Sequence, residues 1–263
     1  MHNGSHAHRR PIRARFGEVF LPVRDYLPSR SVPLVNYGLI LVNVYVYFAL
    51  AVPSVIDSHG SSAFDRQWSF VPGNVFVNPA ATIVTVFTSM FLHASLGHLG
   101  GNMLFLWIFG DNVEDAIGHV RYLAFYLAGG VCAAVAQAIP DPTSMVPMVG
   151  ASGAISAVLA AYALLYPRSP IAVFNGIIIM WFFWGPFLYV PAWLVIGLYF
   201  VVNLGDALVS NAQGGVAFMA HVGGFVGGAV LLRSLMAGRE RMDQYARWQG
   251  WTQQRARQRD RLD

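Results

Sequence analysis

Long apolar runs separated by short polar ones organise the chain. Six of them read as membrane spans, at about residues 35–56, 97–114, 121–139, 152–166, 190–209 and 217–236. The pattern predicts an all-α membrane protein, a bundle of six transmembrane helices over residues 35–236. An N-terminal tail (1–34) precedes it and a basic C-terminal tail (237–263) follows. The first loop, roughly 57–95, mixes turn residues (Pro72, Gly73, Asn74, Pro79) with Trp68, Phe70, Phe76 and Phe87, the composition of an interfacial, partly inserted segment. The stretch 171–189 is apolar but broken by Gly176, Gly185 and Pro186, and the pattern leaves open whether it inserts or lies at the interface.

Two spans are too short. From Ser152 to Tyr166 a helix covers roughly 22 Å, against a hydrocarbon core about 30 Å thick. With Tyr166 at one surface, Ser152 begins its helix roughly 8 Å below the other. Non-helical backbone at that depth has to line a water-filled cavity or be packed in protein, so the loop 145–150 is expected to border a cavity. The span from His98 to about Glu114 is similarly short.

Composition supports the membrane reading. Apolar residues make up 56% of the 263 and charged residues 11%, with mean hydropathy +0.49, which excludes a disordered chain and argues against a soluble globule. One cysteine, Cys132, excludes an internal disulfide framework and a Cys-rich metal site; in its apolar span it reads as a small packing residue. All 17 basic residues are arginine. With six spans, every one except Arg66 falls on the same side as the termini, so both termini are expected to be cytoplasmic. The arginine-rich tail suits anionic lipid better than nucleic acid, and no nucleic-acid partner is expected. Residues 1–33 have no apolar core of a signal peptide, and His2, His6 and His8 read as part of a polar terminus rather than a metal site.

Polar side chains at membrane depth need a reason, and four stand out: His98, Asn102, Ser152 and His221. Ser152 sits in Gly150-Ala151-Ser152-Gly153, where small neighbours leave its hydroxyl open. At a helix start its N–H is free to meet a developing oxyanion, although a serine there is ordinarily a cap. His221 begins a row of small residues, with Ala220, Gly224 and Gly228 on one helix face, and Gly153, Ala157 and Ala161 form a matching row after Ser152. Two such faces allow an approach close enough for an imidazole nitrogen to reach the hydroxyl. His98 and Asn102, four residues apart, share a face and can donate to an oxyanion. No acidic residue near His221 is evident, so the set suits a Ser–His dyad whose imidazole is held by packing among glycines. There is no H-E-x-x-H; His93 and His98, five apart, are expected on different helix faces, and Asp206 has no evident carboxylate partner.

The stretches Phe87–His93 (FTSMFLH), His98–Glu114 (HLGGNMLFLWIFGDNVE), Gly150–Ser156 (GASGAIS) and Gly215–Gly228 (GVAFMAHVGGFVGG) resemble, in order, the motifs of the rhomboid family of intramembrane serine proteases, in its compact six-span bacterial form. The resemblance covers about residues 35–236. It implies Ser152 as nucleophile, His221 as base, His98 and Asn102 as oxyanion donors, and Gly150 as a shaper of that hole. Glu114 matches a structural acidic residue, and Gly224 and Gly228 match glycines that let the sixth helix approach the fourth. The family cleaves transmembrane segments of other membrane proteins near the outer face and requires no cofactor. The resemblance thus implies transmembrane protein substrates, no metal, and a multi-pass protein of a bacterial cell (inner) membrane; the oligomeric state stays open. A Trp-Arg pair common in the first loop of relatives is replaced here by Val84 and Thr85, so that loop's packing does not carry over. His93 takes a structural role. Trp181, Trp184 and Trp193 read as interfacial anchors; the residues leave open which element admits a substrate, and only the resemblance points to the fifth span. A non-catalytic escort of transmembrane helices and a transporter with broken helices are the alternatives; the first usually lacks the serine or histidine, and the second lacks a membrane carboxylate pair.

Overall fold

The computed structural model describes residues 20–57, 67–177, 181, 183–209 and 218–236. A strand β1 (Phe20–Asp25) leads into α1 (Leu34–Tyr45), which continues through a π-helical turn, Val46–Ala51, into α2 (Val52–Asp57). After a 3₁₀ turn at Pro72–Phe76, α3 (Pro79–Thr88) starts on a proline, with Asn78 capping it through Ala81 N–H at 3.1 Å. Then α4 (Leu96–Phe105) runs through a second π-helical turn, Leu106–Gly110, into α5 (Asp111–Ile117). α6 (His119–Ala138) and α7 (Ser152–Leu165) follow, then β2 (Pro170–Asn175), β3 (Phe187–Pro191), α8 (Ala192–Val209) and α9 (Phe218–Met236).

The helices lie where the apolar runs were. Among the described residues three are long and apolar enough to cross a membrane: Leu34–Ser54, His119–Ala138 and Phe218–Met236. A bent pair, Pro79–Phe91 with Leu96–Ile117 at 83°, makes a fourth if counted as one span, and Ser152–Leu165 and Ala192–Val202 are shorter apolar helices. The bend puts α3, inside the expected interfacial loop, nearly perpendicular to the helix that follows it. The all-α expectation is corrected by a three-stranded antiparallel sheet in the order β1-β2-β3, with Leu21 opposite Phe174 and Ile171 opposite Val190. β1 comes from the segment expected to be a polar tail, and β2 and β3 from the stretch left undecided at 171–189. Residues 1–19 and 237–263, including His2, His6 and His8, lie outside the described residues, as does Arg66.

α7 is the axis of the molecule. Every residue from Gly153 to Tyr162 is buried, between α6 on one side and α9 on the other. Its small side chains are what allow this. A Cβ on Gly228 would collide with Ala157, and one on Gly224 with the carbonyl of Gly153. The expected row of Ala220, Gly224 and Gly228 therefore meets Gly153 and Ala157. A second row went unread in the sequence: Gly223 and Gly227 lie against Ala136 and Cys132 of α6. In membranes such close packing and van der Waals contact hold helices together, since lipid is as apolar as leucine.

At the far end of the bundle, Glu114, fully buried, accepts from the free backbone N–H groups of Val35 (3.0 Å) and Asn36 (2.7 Å) and also contacts His119. Asn36 in turn donates to Leu106 O at 2.9 Å and accepts from Tyr122 OH at 2.9 Å, so one buried polar knot joins α1, α5 and α6. Asp25 of β1 accepts from Tyr162 OH (2.8 Å) and Asn112 Nδ2 (2.7 Å), fastening the sheet to α7.

Gly228→Val should lower the thermal midpoint in detergent, with a cost of at least about 1–3 kcal/mol from overpacking, while Gly197→Ala, which has open space around its Cβ, should not. Burial, helped by the charge of Asp111, raises the Asp25 carboxyl from 3.8 to about 7. The folded state therefore holds this proton more tightly than the unfolded chain does. Its stabilising contribution is complete below 3.8 and is lost as pH climbs to about 7. Asp25→Asn should gain in midpoint relative to the wild type across that window; parallel pH–melting curves for the two proteins would refute this.

Candidate active site

Three features of local sequence build the site. Gly150 adopts φ +124°, a conformation that side chains disfavour, and its N–H donates to Ser89 O at 2.9 Å. That turns the chain sharply into α7, so that Ser152 is its first residue. The preceding loop is pinned to the first loop by a two-bond bridge between Phe70 and Met148, at 3.1 and 2.7 Å. Ser95 caps α4 through the His98 N–H at 3.1 Å, which puts His98 in the first turn and Asn102 one turn deeper. His221 stands near the start of α9, where Gln137 of α6 accepts from Ala220 N–H at 3.1 Å.

These elements converge. His221 Nε2 lies 2.8 Å from Ser152 Oγ. A Cβ on Gly150 would sit 2.9 Å from His98 Nε2 and 3.6 Å from Ser152 Oγ, so the absent side chain is what admits the His98 ring beside the hydroxyl. Asn102 is buried, and its Nδ2 has no hydrogen-bond partner. A buried amide donor left unmet costs about 1–3 kcal/mol, and such a group is suited to meeting charge that develops only during a reaction. His221 is 8% exposed, whereas Ser152 and His98 are half-buried, so the pair is sheltered but reachable. Gly224 and Gly228 lie one and two turns beyond His221 and provide the close contact described above. Glu114 lies away from this group, at the cap of α1.

Two arrangements differ from the sequence reading. His93 precedes α4, so helical spacing does not govern it, and its ring packs edge-on against His98 with centroids 5.1 Å apart, correcting the expectation of separate faces. The imidazole of His221 does not rest on glycines alone: the Tyr199 ring of α8 stands 6.5 Å away, itself packed on Phe105 at 5.1 Å. No local pattern marks Tyr199, because its role depends on how α8 is set against α9. Ser156, whose hydroxyl donates to Ser152 O at 2.8 Å, also went unnoticed. The side chain of Asp206 lies outside the described residues. Trp184 and Trp193 are exposed; Trp181 is exposed too but donates to Asn175 O at 2.6 Å.

The family model for the Rhomboid domain matches residues 80–237. Presenilin-associated rhomboid-like protein, mitochondrial, of Bos taurus is 30% identical over 140 residues, 52% of this chain and 34% of that one. RHOMBOID-like protein 12, mitochondrial, of Arabidopsis thaliana is 28% identical over 236 residues, 82% of this chain and 61% of that one. Rhomboid protein 1, mitochondrial, of Saccharomyces cerevisiae is 26% identical over 169 residues, 60% and 45% of the two chains. The chain thus spans about one third to three fifths of these relatives' lengths. Their names correct the expectation of a bacterial cell membrane, and with it the cytoplasmic placing of the termini. Arginine asymmetry reports orientation across a bilayer and carries no information on which bilayer it is.

Gly150→Ala would place a left-handed backbone and a Cβ against His98 at once. It should reduce labelling of Ser152 by a fluorophosphonate probe at least about tenfold, and Gly100→Ala, with open space at its Cβ, should label as the wild type does.

Proposed function

We propose that this chain, which belongs to the rhomboid family, is an intramembrane serine endopeptidase that cuts peptide bonds in or near transmembrane segments of other membrane proteins, within a six-crossing bundle. The observation that carries this reading is the 2.8 Å approach of His221 Nε2 to Ser152 Oγ, between two helices that the sequence separates by 69 positions.

Ser152 Oγ attacks the scissile carbonyl as His221 Nε2 takes its proton. The oxyanion forms beside three donors: the Ser152 N–H at the open end of α7, the His98 ring and the unmet Asn102 Nδ2. The imidazolium returns the proton to the leaving amine, and the acyl group stays on Ser152. Water, deprotonated by the same imidazole, then releases the acyl group. Close packing on α7 and the Tyr199 ring help to orient His221. The geometry also supports water access. α7 has 14 residues, about 21 Å of helix against a hydrocarbon core of about 30 Å. Its first residue therefore falls short of one surface, where only a wet or protein-lined recess is tolerated.

A non-catalytic escort of transmembrane helices would not need a serine and a histidine at hydrogen-bonding distance. With a model transmembrane substrate in detergent or liposomes, Ser152→Ala and His221→Ala should abolish cleavage while leaving expression and melting unchanged. Asn102→Ala should slow it by about 10²–10³. Undiminished cleavage by Ser152→Ala would overturn the reading.

A further inference from the structure

A short buried turn stands behind the side of the site that would meet the oxyanion. A one-turn 3₁₀ helix, Ser89–Phe91, ends α3, and the chain leaves it extended through Leu92 to His93, just ahead of α4. Ser89, Met90, Leu92 and His93 are all buried, although α3 before them is largely exposed. The turn is anchored to α7, α6 and α4. Ser89 O accepts from Leu92 N–H at 3.3 Å and from Gly150 N–H at 2.9 Å, so the carbonyl that closes the turn also holds the left-handed residue at the entrance of α7. Met90 fills the gap left by Gly130 on α6, where a Cβ would collide with its Sδ and Cε. His93 sets its ring against His98 in the first turn of α4, at 5.1 Å between centroids and 71° between planes.

Gly150 and His98 therefore both take their place from this turn, one through a backbone hydrogen bond and the other through a ring contact. They also touch each other, since a Cβ on Gly150 would lie 2.8 Å from His98 Cε1. The Ser95 cap fixes the backbone of His98 but not its side-chain torsions, which are left to the neighbouring groups. Neither ring nitrogen of His93 has a hydrogen-bond partner. What His93 offers His98 is a flat, rigid ring at the tilt that aromatic pairs prefer.

We propose that His93 is a positioning residue for the oxyanion donor His98, and that the turn Ser89–His93 keeps His98 and Gly150 in register beside Ser152. This rests on the reading of Ser152 and His221 as a proteolytic pair. A donor aimed at charge that develops in the transition state is effective only if it is held in place beforehand. A loosened His98 ring therefore lowers kcat and leaves KM nearly unchanged.

The test compares full-length wild type with His93→Gln, His93→Phe and Met90→Ala in detergent, on a model transmembrane substrate, well below each melting midpoint. His93→Gln keeps polar groups and loses the ring; it should lower kcat about 10- to 100-fold with KM within about twofold. His93→Phe keeps a ring and loses the nitrogens, and should restore kcat to near the wild-type value. Met90→Ala, which frees the turn from α6, should act in the direction of His93→Gln and decides if that variant does not fold. A wild-type kcat in His93→Gln, or activity in His93→Gln that His93→Phe lacks, overturns the proposal. A second readout needs no proteolysis. In protein labelled with ¹⁵N at histidine, the His98 ring signals, assigned by their loss in His98→Gln, should be single in the wild type and His93→Phe. They should be doubled or broadened in His93→Gln, and unchanged signals there would also overturn the proposal. Cleavage by Ser152→Ala would instead sink the protease reading, and the ring signals would still decide whether His93 holds His98.

Discussion

The rest of the structure depends on how closely α9 can approach α7. Where Gly224 and Gly228 meet Gly153 and Ala157, there is no room for a single added carbon. That contact sets the distance between the two backbones, and so determines whether an imidazole from one reaches a hydroxyl on the other. Gly223 and Gly227 repeat the arrangement toward α6, so α9 is seated against two neighbours. Held on two sides, it has little freedom to slide or rotate, which serves a hydrogen bond that tolerates only tenths of an ångström.

The polar groups inside the bundle fall into two kinds. At one end Glu114, Asn36 and Tyr122 satisfy one another and cap a helix that would otherwise begin with bare N–H groups. Removing any member would strand the others, which is the energetic signature of a structural network. At the other end Asn102, one turn beyond His98 on α4, is left with an open donor. Asn43, His93, Tyr126 and Asn175 also carry buried side-chain atoms without a partner, so it is the place of Asn102, one turn beyond His98, that sets its open donor apart.

Much of this was legible in the sequence, for identifiable reasons. Helix positions followed from runs of apolar residues, whose length the bilayer dictates. The meeting of Ser152 and His221 followed from two rows of small residues at helical spacing, a pattern that reports directly on backbone approach. The sheet was not legible. Its strands are five or six residues long, β1 pairs with a partner some 150 positions away, and Pro22 and a bulge interrupt its alternation. Tyr199 was likewise invisible, because an aromatic residue in an apolar span looks the same whether it faces lipid or a histidine. His93 misled because helical spacing was applied to a residue that stands before its helix.

The pairing of Phe20 with Asn175 has a consequence for the order in which the molecule assembles. As the chain is synthesised from its N-terminus, β1 emerges first yet has no partner until β2 follows, by which time the segments of α1 through α7 have been made. The first strand stays without its β2 partner until after α7 has been made, when pairing can close the ring of contacts that joins Asp25 to Tyr162. Late, long-range pairing of this kind is slow and leaves a strand edge open meanwhile. Sealing of the sheet therefore comes after α7 has been made, and a chain stalled before it would carry its Ser152 helix without the Asp25–Tyr162 fastening.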